Sequence, residues 1–107
     1  MELNIRVIGV HGKPTLFPVK VYKEFEFKGF KFFIHRKVAK GLSEVPRQFI
    51  CSQYDTGLAV FSLYSNTVDF THESAIDVLE SKKKTLNKTI KCMLKNYGRA
   101  NPSLTGL

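Results

Sequence analysis

The chain has 107 residues, the size of one compact domain, and this excludes most large cofactor enzymes. It is 43% hydrophobic with nine Phe and four Tyr, enough apolar surface to build a core and to exclude wholesale disorder. The charge is lopsided, with 17 Lys and Arg against 9 Asp and Glu, a formal +8 that favours acidic partners: nucleic acid, anionic lipid or an acidic protein face.

In chain order the first two thirds carry strand periodicity. Leu3, Ile5 and Val7 alternate with Asn4 and Arg6, a turn is expected over 9–14, and Phe17, Val19, Val21, Phe25 and Phe27 alternate with Lys20, Tyr22, Glu24, Glu26 and Lys28. Lys28-Gly29 is a two-residue hairpin turn, because glycine supplies the positive φ that such turns need. That register sets Phe27 opposite Phe30, Phe25 opposite Phe32 and Glu26 opposite Lys31. Gly41, Ser43 and Pro46 place a surface connection over 37–47. Phe49-Ile50-Cys51 and Leu58 to Leu63 then flank a turn at Gln53 to Gly57. The second of these runs is apolar on both faces, which predicts a central or helix-covered strand.

From Thr71 the period changes to that of a helix, with Thr71 as the expected cap and Gly98 as the stop. Leu79, Leu86, Ile90, Met93 and Tyr97 form one stripe, which has to pack on the sheet. The expected architecture is therefore α+β: an antiparallel sheet of about five strands in two hairpin units, with one long C-terminal helix on one face. Residues 1–99 make one domain and 100–107 a flexible tail. Cys51 and Cys92 are too few for a disulfide scaffold, lack metal-ligand spacing, and read as buried thiols. With no visible leader and no long apolar run, a cytoplasmic protein without a membrane span is expected.

The charge excess is local. Residues 1–81 carry ten Lys or Arg and nine acids, whereas Lys82, Lys83, Lys84, Lys88, Lys91, Lys95 and Arg99 follow with no acid among them. Lys84, Lys88, Lys91 and Lys95 repeat at helical spacing opposite the apolar stripe, a ridge of about 16 Å at about 1.5 Å per residue. With Arg99 at its end, this ridge is the candidate contact for nucleic acid, a nucleoprotein or an acidic partner surface. The competing interpretation is a solubilising face, since lysine-rich outer faces are common. Lys83 falls beside the apolar stripe and is expected to snorkel at its edge.

Lys28 to His35 matches an RNA-recognition signature in part, but Lys31, Phe33 and His35 depart from it and the helix that fold requires is missing. A packed Phe hairpin explains the same residues, while Phe33, His35, Arg36 and Lys37 remain a candidate secondary surface for stacking and phosphate contact. Gly9 to Lys13 lacks the spacing and following helix of a phosphate loop. His72-Glu73 has no second zinc-ligand histidine, and His11, His35 and His72 read as ordinary surface or edge residues. No catalytic, cofactor or metal motif is present in the sequence, so a non-enzymatic binding protein is expected, with a small hydrolase or nuclease as the remaining class.

Phe27 to Phe32, Ile34-His35, Thr56 to Val60 and Ala75-Ile76 together resemble small bacteriophage- and prophage-encoded proteins of unknown function, over about residues 25–80. The resemblance implies a β-rich front before a C-terminal helix and carries over no catalytic residue. It implies an accessory factor acting by binding inside an infected bacterial cell. A protein-binding inhibitor of a host factor or defence system, in the manner of an anti-CRISPR, is the alternative on that footing.

Overall fold

The computed structural model describes residues 1–8, 14–38, 44–65 and 67–102, with the side chains of Ile8 and Pro14 excepted. Strands β1 (Glu2–Ile8) and β2 (Pro14–Lys20) pair as an antiparallel ribbon. Strands β3 (Lys23–Phe27), β4 (Phe30–Val38), β5 (Glu44–Gln53) and β6 (Ala59–Tyr64) form a second antiparallel sheet in the order β3-β4-β5-β6. Helices α1 (Val68–Ser81) and α2 (Lys83–Tyr97) follow. The α+β class is as expected, but the described residues hold six strands in two sheets and two helices.

The hairpin register predicted around Lys28-Gly29 is the one observed: Phe27 faces Phe30, Phe25 faces Phe32 and Glu26 faces Lys31. Lys28 at φ 53° and Gly29 at φ 84° supply the two left-handed positions of a twisted two-residue turn. Lys31 nevertheless makes its ion pair diagonally, with Glu24 at 3.4 Å.

The extra strand arises at Val21-Tyr22. There the chain leaves the ribbon, where Val21 N donates to Met1 O at 3.0 Å, and enters the larger sheet, where Tyr22 N donates to Ile34 O at 2.8 Å. Val19 packs with Phe33 before the bend, while Phe25 packs on the helix-side core after it. The bend reverses which face the odd-numbered side chains meet without disturbing the period of two, so alternation alone contains no sign of it.

Both faces of the larger sheet are therefore covered in part. On one, Phe32, Ile34, Phe49 and Cys51 pack against Ala75, Leu79, Leu86 and Ile90 of the helices. On the other, Phe33 and Tyr54 pack with Val19 beneath the ribbon, joined by the half-buried Leu3, Ile5 and Phe17. The predicted surface connection at 37–47 is shortened from both sides, since β4 runs to Val38 and β5 starts at Glu44. Pro46 and the positive φ of Arg47 (63°) lie where the β4–β5 register shifts, a place that tolerates a missing ladder donor.

The helical region starts earlier than expected and is broken. Thr67, not Thr71, is the cap, its hydroxyl oxygen accepting from Phe70 N at 3.3 Å. Thr71 is buried in the first turn and donates its hydroxyl to Thr67 O at 3.1 Å. Lys82 leaves helical geometry at φ −107°, ψ 5°, and separates α1 from α2. The side chain of Thr85 turns back to donate to Lys82 O at 3.3 Å. Gly98 ends α2 as predicted, at φ 77° with its N–H on Leu94 O at 2.8 Å.

The segment after α2 is not the loose tail expected from residue 100: Ala100 and Asn101 are each 5% exposed. Ala100 N donates to Asp55 O at 2.8 Å, and Asn101 Nδ2 donates to Tyr54 O at 2.8 Å. Arg6 of β1 donates to Thr56 O at 3.1 Å and Gly98 O at 3.2 Å, so the ribbon, the β5–β6 turn and the end of α2 meet at one junction. Residues 103–107 of the expected tail and 9–13 of the turn expected over 9–14 lie outside the described residues, and Pro14 opens β2. No described helix is long and apolar enough to cross a membrane.

Candidate nucleic-acid interface

Helix α2 rests on the sheet through a narrow stripe. Leu86 and Ile90 are buried and Met93 and Leu94 half-buried, whereas Tyr97 at the end of the predicted stripe is 41% exposed, with the Arg6 guanidinium 5.6 Å from its ring centre. Burial of two branched side chains fixes the rotation of the helix about its own axis. Lys84, Lys88, Lys91 and Lys95 consequently fall on the exposed side, all on one uninterrupted helix. None of the four lies at ion-pair distance from a carboxylate among the described residues. Lysine ammonium groups held this way act as point charges for phosphate or carboxylate oxygens without selecting a base sequence.

Two other basic residues of the C-terminal run are engaged. Lys83 is exposed and sits 3.4 Å from Glu80, rather than at the rim of the core. Arg99 does not extend the ridge as expected. Its guanidinium pairs with Asp55, fastening the end of α2 to the β5–β6 turn. Its charge is thus partly neutralised by a carboxylate that is itself mostly covered.

The secondary surface expected from Phe33, His35, Arg36 and Lys37 does not form. Phe33 and His35 are 0% and 1% exposed, because the β1–β2 ribbon occupies the face on which they were expected to meet solvent. His35 is an interior residue, not an edge one. Its Nδ1 lies 3.0 Å from Arg36 O, and its Nε2 lies 2.8 Å from Ser52 Oγ. A carbonyl only accepts, so Nδ1 carries the proton and Nε2 accepts from the Ser52 hydroxyl. Burial holds the imidazole below its ordinary pKa, a neutral ring with both nitrogens occupied.

Arg36 points to the helix side and lies between two rings, its guanidinium carbon 5.4 Å from the centres of Tyr22 and Phe49. Its Nε is buried without a hydrogen-bond partner among the described residues, so stacking is what holds it. Tyr22 donates its hydroxyl to Glu44 at 3.0 Å, and burial followed by that bond raises the phenol above its usual pKa. Of the expected group only Lys37 is exposed. It lines the same surface depression as Lys82, at the start of the basic run. Lys40 lies outside the described residues.

His72 lies against the Phe25 ring with 4.5 Å between ring centres, and burial followed by the nearby Lys23 charge lowers its pKa. Among the described residues no three His, Cys, Asp or Glu side chains gather where they would hold a metal ion. Cys51 is buried as expected, but Cys92 is exposed on α2.

Comparison with known proteins adds no relative. No family model, no curated protein and no solved structure matches the chain. The site therefore rests on its own geometry.

Proposed function

We propose that this chain is a small non-enzymatic binding protein that contacts nucleic acid, bare or within a nucleoprotein, through the outer face of α2. The observation that carries the reading is the row of Lys84, Lys88, Lys91 and Lys95, exposed on one helix and without carboxylate partners among the described residues. Like charges at this spacing oppose helix formation unless an anion neutralises them. A phosphate backbone meets that requirement, because each bound cation releases condensed counterions from it. On the expected resemblance to phage-encoded proteins, such an accessory factor would act in the cytoplasm of an infected bacterium.

The four contacts set the expected salt dependence. In filter binding to duplex DNA the log-log slope of affinity against salt is about −3.6, insensitive to base sequence. Changing all four lysines to Gln flattens that slope and weakens binding. Undiminished affinity in the fourfold variant would overturn the proposal.

A further inference from the structure

Among the described residues β6 forms one edge of the larger sheet, with no further strand paired to it. Which of its backbone groups are unpaired follows from the ladder. Ser65 N donates to Arg47 O at 2.8 Å, continuing the register that sets Tyr64 opposite Gln48. Hydrogen-bonded pairs alternate along an antiparallel ladder, so Leu63 and Phe61 bond inward to Phe49 and Cys51. Ser62 and Tyr64 then turn their N–H and C=O groups outward, away from β5.

Exposed edges are normally blunted by charge, proline or bulges. The opposite edge, β3, has Lys23, Glu24 and Glu26. From Leu58 to Tyr64 there is no charged residue and no proline. The register shift opposite Cys51 and Ser52 confines the bulge to the start of β6 and leaves Ser62 to Tyr64 regular. Of the two positions expected for the run that is apolar on both faces, the central one does not hold, since β6 is an edge strand. The helix-covered one does hold on one face, where Val60 and Phe61 pack against the core shared with α1 and α2.

A depression of about 540 Å³ follows the same edge. Ile50, Val60 and Val78 give it apolar lining, Ser62 lies along it, and Lys37 and Lys82 contribute cations from the sheet and the helices. Neither lysine has a carboxylate at ion-pair distance among the described residues. We infer that β6 receives an acidic, extended segment of a partner protein as an added strand. The backbone of Ser62 and Tyr64 would bind its main chain, while Lys37 and Lys82 select its carboxylates. Charge disfavours a second copy as occupant, since each chain brings a formal +8 and its own two lysines to the joint. The four lysines proposed for nucleic acid take no part, so the two readings are separable.

The test uses the full chain and two fluorescein-labelled peptides, one alternating glutamate with valine and the other lysine with valine. Fluorescence anisotropy is expected to show binding of the acidic peptide alone, with slowed exchange of the Ser62 and Tyr64 amides. The double variant Lys37→Glu/Lys82→Glu, whose exposed positions leave the fold intact, is expected to weaken binding by about tenfold or more. Ser62→Pro removes an outward N–H without costing a ladder bond and should have the same effect. Binding of both peptides alike, unaltered exchange at Ser62 and Tyr64, or loss of binding only in the fourfold Lys84/Lys88/Lys91/Lys95→Gln variant would overturn the inference. So would sedimentation showing a dimer of this chain that Ser62→Pro dissociates.

Discussion

Asn101 pairs with Asn4 as one strand pairs with another. Its Oδ1 accepts from Asn4 N at 2.7 Å and its Nδ2 donates to Asn4 O at 3.0 Å, across 97 positions of sequence. The same Nδ2 also donates to Tyr54 O at 2.8 Å, so a single side chain ties β1, the β5–β6 turn and the segment beyond α2 together. Replacement by Ala leaves three backbone groups without that partner in a largely buried setting. Asn101→Ala is expected to cost about 1–3 kcal/mol, read as a lowered denaturant midpoint with little change in m. An unaltered midpoint would show that the junction does not hold the ribbon.

Gly57 stands at the other side of this junction. Its φ is 71°, and an added Cβ would come within 2.8 Å of Ala100 Cβ and 3.0 Å of Arg6 N. Backbone strain and close approach act together here, and the nearest obstacles are themselves tied down. Gly57→Ala is expected to lose at least about 2 kcal/mol and to lower Tm by roughly 10 °C. At Gly29 nothing lies within 4 Å of an added Cβ, so Gly29→Ala should cost only its positive φ, a smaller loss in the same thermal melt.

Stability should fall on acidification. Burial lowers the pKa of His35, and burial with the Lys23 charge lowers that of His72. Between the folded values and the ordinary histidine value of about 6.5, the unfolded chain binds more protons than the folded one. Stability therefore rises with pH through that window and is lost as pH drops below about 6.5. The slope approaches at most about 1.4 kcal/mol per pH unit for each group. Chemical denaturation at a series of pH values should show a shallower dependence in His35→Gln than in His72→Gln, because His35 is the more deeply buried ring.

The thiols should divide by location. Burial pushes Cys51 up to about 12, which keeps it protonated and unreactive, while Cys92 is open to solvent on α2. A thiol-disulfide reagent is expected to modify one cysteine in the folded chain, and the second only after denaturant is added. Cys92→Ser should abolish the reaction of the folded chain.

Much of the local structure is legible in the residues themselves. The Phe27-Lys28-Gly29-Phe30 hairpin is a matter of adjacent partners and one turn, and its register follows from them. Gly98 stops a helix by a conformation that glycine adopts without strain. The lysine row of α2 is equally local, because 3.6 residues per turn place Lys84, Lys88, Lys91 and Lys95 on one side wherever Leu86 and Ile90 are buried.

What the sequence by itself determined, then, is the set of features governed by neighbours a few positions apart: the hairpin, the helical stop, the α+β class and the basic face. Only the tertiary structure decided which surfaces remain open. The ribbon that buries Phe33 and His35, the Asp55 that engages Arg99, and the place of β6 at the sheet edge all depend on residues tens of positions away. Period and composition describe which face of an element is apolar, but burial depends on which other element arrives to cover it, and such long-range pairing leaves no trace in local spacing.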